Sequence, residues 1–268
     1  MPFGLPRVLL FALLWGSASF RAQDAPNTAE QLVKKAVEAR GGEARIKALE
    51  AQRVTGTVSF GPGAQGSLLV ELKRPGKLHM EVKIQDRTII RVYDGRESAW
   101  LVNPFSENAG PAAMTGNELQ NIKEESDFDG PLVDYQAKGN KIELLGKDEL
   151  SGKAVLKLKL STKSGEVRTY YFDAATFLLT KWEGVRKSGD QEIPVESFFS
   201  DYREVNGLKF PFEVDTDSPG SDRVQKLTLE KIELNPQIDD AHFAKPAAPP
   251  ASTPAATPAP GEENPESH

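Results

Sequence analysis

Gly66-Ser67-Leu68-Leu69-Val70-Glu71-Leu72-Lys73-Arg74-Pro75 runs directly into Lys77-Leu78-His79-Met80-Glu81-Val82. In the second part Leu78, Met80, Val82 and then Ile84 alternate with His79, Glu81 and Lys83. A period of two gives each strand one dry face and one wet face, the pattern of an antiparallel sheet. Pro75 ends the first strand without costing the ladder a donor. Further on, Tyr93-Asp94-Gly95 supplies a tight hairpin turn ahead of Trp100-Leu101-Val102-Asn103-Pro104-Phe105.

The same alternation recurs outward from this stretch. Leu156, Leu158 and Leu160 alternate with Lys157, Lys159 and Ser161. Tyr170 and Phe172 precede an Asp173-Ala174-Ala175-Thr176 turn, after which Leu178, Thr180 and Trp182 are expected on one face. Near the end Leu227 and Leu229 are followed by Ile232 and Leu234; the phase slips by one, which predicts a β-bulge near Glu230-Lys231. Helices come first: Thr28 with Gln31 reads as a capping box, and Ala29, Leu32, Val33, Ala36 and Val37 recur at helical spacing up to Gly41-Gly42. A shorter helical piece carries Ile46 and Leu49.

About ten or eleven strands with helices mainly in front predict an α+β, mainly β fold. Its expected form is a single large curved antiparallel sheet, a half-barrel, with helices covering the concave face. The stretch from Asn103 to Lys138 interrupts the strands. It holds a loop to Met114, a short helix capped by Thr115 with Leu119 and Ile122 on one face, and an Asp127 to Tyr135 segment broken by Gly130 and Pro131. A long insertion of this kind is expected to act as a lid over an open sheet face.

Arg7, the apolar run Val8 to Trp15 and Gly16-Ser17-Ala18-Ser19 read as a secretion signal over residues 1–23. The apolar run falls short of the ~20 residues that span a bilayer. The folded domain is expected over 24–245, and the Pro/Ala-rich, then acidic, segment 246–268 as a disordered tail. Net charge is −6, and loss of Arg7 and Arg21 with the leader takes it to −8. That acidity argues against nucleic-acid binding, which rests on clustered Lys and Arg. The chain has no cysteine, so it cannot be a lipid-modified lipoprotein, form disulfides or use a thiol nucleophile.

Chemistry-bearing motifs are scarce. Gly61-Pro62-Gly63-Ala64-Gln65-Gly66 has the glycine spacing of a dinucleotide loop, but a strand follows where a helix is required, so it reads as a hairpin turn. The three histidines, His79, His242 and His268, share no metal-ligand or triad spacing. Asp127, Asp129 and Asp134 form the best carboxylate cluster, read as a turn-forming loop in preference to a glycosidase pair or a calcium site. No catalytic residue, metal ligand or cofactor is expected, and the chain is not expected to be an enzyme. Apolar residues remain: Trp100, Leu101, Phe105, Met114, Leu119, Ile122, Phe128, Leu132 and Tyr135, on or beside the interruption. They are the candidate lipid-binding residues. An ordinary filled core fits them as well, because alternation does not distinguish a full interior from a hollow one.

Gly66, Lys73-Arg74-Pro75, Asp94-Gly95, Trp100 and Asn103-Pro104-Phe105 together resemble the LolA-like outer-membrane lipoprotein-sorting proteins, the periplasmic lipoprotein carriers. A weaker resemblance runs from Thr28 to Phe243, through Gly41-Gly42, Gly207-Leu208-Lys209-Phe210-Pro211 and Asn235 to Phe243. It implies a monomeric periplasmic carrier or chaperone that binds acyl chains of lipoproteins or lipids in an apolar cavity between sheet and helices. In the carriers an early-strand arginine helps to hold the lid closed; no residue of this chain is matched to it. Some relatives with this fold bind proteins of the envelope. The alternative is therefore a signalling or scaffold module with inner- or outer-membrane protein partners and no lipid ligand.

Overall fold

The computed structural model describes residues 26–61, 63–188, 191–218 and 224–247. The expected leader (1–23) and residues 248–268 of the expected tail lie outside them. Helix α1 (Ala29–Ala39) starts at Thr28, whose hydroxyl accepts a hydrogen bond from Gln31 N at 3.2 Å, while Gln31 Oε1 accepts from Asn27 N at 2.8 Å. The capping box therefore closes one residue further out than its usual form. Thr28→Ala is expected to cost about 1 kcal/mol, measured by thermal or denaturant unfolding.

A short helix α2 (Glu43–Lys47) follows. Then come β1 (Ala51–Ser59), β2 (Gln65–Lys73), β3 (Lys77–Ile84), β4 (Arg87–Tyr93), β5 (Ala99–Val102) and β6 (Ala112–Ala113). Helix α3 (Gly116–Glu125) and a run of turns over 127–139 lead to the second series. That series is β7 (Lys141–Leu150), β8 (Lys153–Ser161), β9 (Val167–Asp173), β10 (Leu179–Ser188), β11 (Gln191–Val205), β12 (Leu208–Asp217) and β13 (Gln225–Leu234), with a final 3-10 turn over Asp240–Phe243. Thirteen strands exceed the ten or eleven expected. The two-residue β6 is too short to show alternation, and the register of β7 shifts between Leu144 and Gly146.

All thirteen lie in one sheet, ordered β6-β5-β4-β3-β2-β1-β13-β12-β11-β10-β9-β8-β7, and every pairing is antiparallel. The first half of the chain meanders out to one edge and the second half meanders back, so β13 closes on β1. The segment between β6 and β7 consequently travels from one sheet edge to the other. We call it the crossover.

Two ion pairs on neighbouring residues of α3 show that the sheet is bent. Glu125 pairs with Arg91 on β4 at 2.7 Å, and Glu124 pairs with Arg168 on β9 at 2.8 Å. In the sheet order β4 and β9 are eight strand steps apart, about 38 Å if flat. One turn of helix reaches both only because the strands curl toward it. A bulge contributes to the bend: Thr55 pairs with Lys231 and Gly56 with Leu229, leaving Glu230 extra, where the phase slip predicted it. Gly56 has to be glycine, since a Cβ there would sit 2.3 Å from the Thr228 carbonyl oxygen.

The core follows the alternation. Leu32, Val33 and Ala36 of α1 pack on Leu156, Leu158, Leu160, Tyr170 and Phe172. Ile122 of α3 packs with Leu78, Tyr93, Ala99 and Met114, and Ile46 of α2 with Leu49, Val133 and Leu208. One expected face is corrected. Leu179 and Trp182, rather than Leu178, Thr180 and Trp182, join the α1 cluster, because the β9–β10 register shifts between Leu179 and Lys181.

A ligand-sized cavity and a latched crossover

Where α1 ends, the chain must turn back onto the sheet, and Gly41 permits it. Its φ of 121° is open to glycine, and a Cβ there would meet the Gly207 carbonyl oxygen at 2.2 Å. Lys209 N donates to Arg40 O at 2.8 Å, pinning the helix end to the β11–β12 hairpin. Between α1, the crossover and strands β9 to β12 lies a cavity of about 180 Å³. Ala36 and Val37 form one wall, Gly130-Pro131-Leu132 of the crossover a second, and Tyr170, Phe172, Phe177, Leu179 and Phe210 the floor. Its polar margin holds Arg40, Tyr202 and Lys209. Burial pulls the Arg40 guanidinium below its ordinary pKa, against the pull of Tyr202, Asp129 and Asp127. Burial likewise pushes the Tyr202 phenol well up, and its hydroxyl donates to Leu179 O at 2.8 Å. Beyond Val37 and Leu132 lies a wider, more polar cleft of about 470 Å³ between α1 and residues 132–137.

The crossover is held by ion pairs. Arg74, at the end of β2, forks onto Asp129 with bonds of 3.0 and 2.6 Å, and also donates to Leu49 O at 2.6 Å and Ile46 O at 3.3 Å. The Phe128 ring lies 4.8 Å from the guanidinium, within cation–π reach. One side chain thus ties β2, α2 and the crossover together. The Asp129 hydrogen bonds raise the Arg74 pKa further, against burial. Asp127 pairs with Lys138 at 2.5 Å, and Asp134 pairs with Lys47 at 2.8 Å. Burial pushes the Asp127 carboxyl up, with Lys138 only partly opposing it. The three aspartates therefore each serve a different cation and share no common focus. No cluster of three or more metal-capable side chains occurs among the described residues.

The nine apolar residues named from sequence do not form one lining. Leu132 faces the cavity and, with Tyr135, the neighbouring cleft. Met114, Leu119, Ile122 and Leu101 belong to the packed cluster around Leu78. Phe128 packs beside Leu49 and Val133. Phe105 is half exposed at 51 % and lies against Arg87. Trp100 is in register with Val92 and, through it, His79, so it lies on the sheet face opposite Leu78. Sequence reading missed Arg40, Tyr202, Phe177 and Phe210. Arg40 gave one usable sign, a cation directly before the Gly41-Gly42 stop.

On that opposite face a second charged cluster holds the C-terminal turn. Glu71 is only 1 % exposed; its carboxylate accepts from Arg53 at 2.7 Å and contacts His242 Nδ1 at 2.6 Å. Burial disfavours its charge, but the hydrogen bonds from His242 and Arg53 outweigh that and hold its carboxyl below the usual range. Around it His79 Nδ1 contacts His242 O, and Lys73 and Lys77 both pair with Asp240.

The fold is one already seen. The structure superposes on a DUF1329 family protein from Desulfovibrio piger with a TM-score of 0.57 at 13 % identity, covering 81 % of this chain and 97 % of that one. It superposes on a LolA superfamily protein from Nitrosomonas europaea with a TM-score of 0.55 at 16 % identity, covering 82 % and 99 %. A putative outer membrane lipoprotein-sorting protein domain from Vibrio parahaemolyticus gives 0.55 at 11 % identity, covering 81 % and 97 %. The expected likeness to the LolA-like group is thus present at the level of fold. The sequence matches no family model and no curated protein. No helix among the described residues is long and apolar enough to cross a membrane.

Proposed function

We propose that this protein is a periplasmic carrier or chaperone that holds an acyl chain between its helices and the concave face of its sheet. The observation supporting this reading is the apolar cavity of about 180 Å³ bounded by α1, the crossover and β9 to β12. A dry engineered cavity of ~150 Å³ accepts benzene, so the space admits a short segment of hydrocarbon as it stands. A longer chain would extend past Val37 and Leu132, which the cavity shares with the adjoining cleft. Each buried methylene contributes about 0.8 kcal/mol. Binding and release would proceed by movement of Gly130-Pro131-Leu132 away from α1, a population shift with no covalent step.

The test uses the chain purified from a Gram-negative periplasm. Native mass spectrometry is expected to show an added mass of lipid, and the delipidated protein is expected to bind a fluorescent acyl probe. Leu132→Trp, which fills the cavity from the crossover side, is expected to weaken that binding about tenfold while leaving the fold intact. Absence of both lipid and probe binding would overturn the proposal.

A further inference from the structure

The polar margin of the cavity is chemically lopsided. Arg40 is a guanidinium with five N–H donors, yet among the described residues its one side-chain hydrogen bond is Nη1 to the Asp129 carbonyl oxygen at 3.2 Å. The Asp129 carboxylate is already taken by the Arg74 fork, and Asp127 by Lys138. Lys209, exposed at the same rim, makes no ion pair with any described residue. Two cations therefore face the mouth of an apolar pocket whose nearby carboxylates are engaged elsewhere. A part-buried guanidinium whose N–H groups line an apolar pocket favours a ligand that supplies acceptors for them.

We infer that the cavity takes a single-chain amphiphile with an anionic head, a fatty carboxylate, placing the head between Arg40 and Lys209 and the chain among Val37, Phe172, Phe177 and Phe210. A carboxylate matches the planar fork of a guanidinium, and such charge-assisted bonds are about twice as strong as neutral ones. Tyr202 is not counted as a donor to the head, because its hydroxyl is committed to Leu179 O. Backbone contacts reinforce the placement of the arginine. The Lys209 N–H bond to Arg40 O sets the two residues side by side, and the close approach of Gly41 to Gly207 holds the helix end there. This inference rests on the acyl-cavity reading and adds a head-group preference to it.

The experiment measures displacement of an uncharged fluorescent probe, N-phenylnaphthylamine, from the full delipidated chain by dodecanoate and by dodecanol at pH 8. Dodecanoate is expected to displace the probe at about tenfold lower concentration. Arg40→Gln is expected to bring the two ligands within about twofold, and Arg40→Lys to keep part of the preference. Lys209→Gln, on the exposed rim, is expected to narrow the gap about threefold and does not depend on tolerance of a change at Arg40. Equal displacement by acid and alcohol in the wild type, or a preference undiminished in both Arg40→Gln and Lys209→Gln, overturns the head-group inference and leaves the cavity reading standing. Failure of both ligands and of the probe to bind removes the two together.

Discussion

Arg53→Met is expected to destabilise the protein by about 1.5–3 kcal/mol at neutral pH, the cost of taking a charged hydrogen-bond donor from a buried carboxylate and leaving it with His242. Glu71 is 1 % exposed, while Arg53 and His242 keep more solvent contact, so the charge that cannot be rehydrated is the carboxylate. The pH dependence follows from the direction of its shift. In the wild type the Glu71 carboxyl titrates below its unfolded value. Its stabilisation is therefore present above the ordinary glutamate pKa and is lost as pH falls through the lower, folded value. Without Arg53 one of the two groups that oppose burial is gone, and the folded pKa rises from its lowered position. The variant then carries a penalty at neutral pH that is relieved as acid protonates Glu71. The stability difference between wild type and variant should thus shrink from pH 7 toward pH 4, read from denaturant midpoints. Arg53→Met combined with Glu71→Leu should recover much of the loss. A difference that is constant with pH would show that Glu71 does not carry the effect.

Arg74→Met is expected to cost about 3 kcal/mol and to loosen the crossover specifically. The side chain closes a fork on Asp129, which is 13 % exposed, and supplies donors to the Leu49 and Ile46 carbonyls at the end of α2. Removing it takes the fork from one carboxylate and the donor from the Leu49 carbonyl oxygen at once, while Ile46 O keeps its bond from Leu49 N at 3.2 Å. Arg74→Lys keeps a charge but not the fork, and should recover less than half. A cycle with Asp129→Asn should give a coupling energy of about 1–3 kcal/mol. Because Gly130-Pro131-Leu132 follow Asp129 directly and wall the cavity, amide exchange over 127–139 should accelerate, and acyl probes should enter faster. Unchanged exchange in that segment would mean that the fork stabilises only the β2–α2 side.

The Lys73-Arg74-Pro75 triplet shows how far a linear reading goes. Its place at a strand end was legible from alternation followed by proline, and β2 does end at Lys73. The partner of Arg74 was not legible, since Asp129 lies 55 residues away and meets it only after the crossover spans the sheet. The Asp127, Asp129 and Asp134 cluster read as a turn-forming loop; in the structure each carboxylate is an anchor with its own cation. The candidate lining fared differently. Proximity in sequence grouped Ile122 with Leu132, yet Ile122 is sealed against Leu78 and Tyr93 while Leu132 faces open space.

The amino-acid order by itself determined most of the strands and their dry faces, the capped first helix and the bulge at Glu230. All are set by the period of apolar residues, turn chemistry and capping within a few residues of each other. Tertiary structure alone decided that β13 closes on β1, that the crossover is tied down by Arg74, and that an unfilled space edged by the Arg40 guanidinium remains beside α1. The physical reason is that an empty volume is a mismatch between side chains brought together from distant parts of the chain. The period that places each of them on a face carries no record of how well they fill the gap between them.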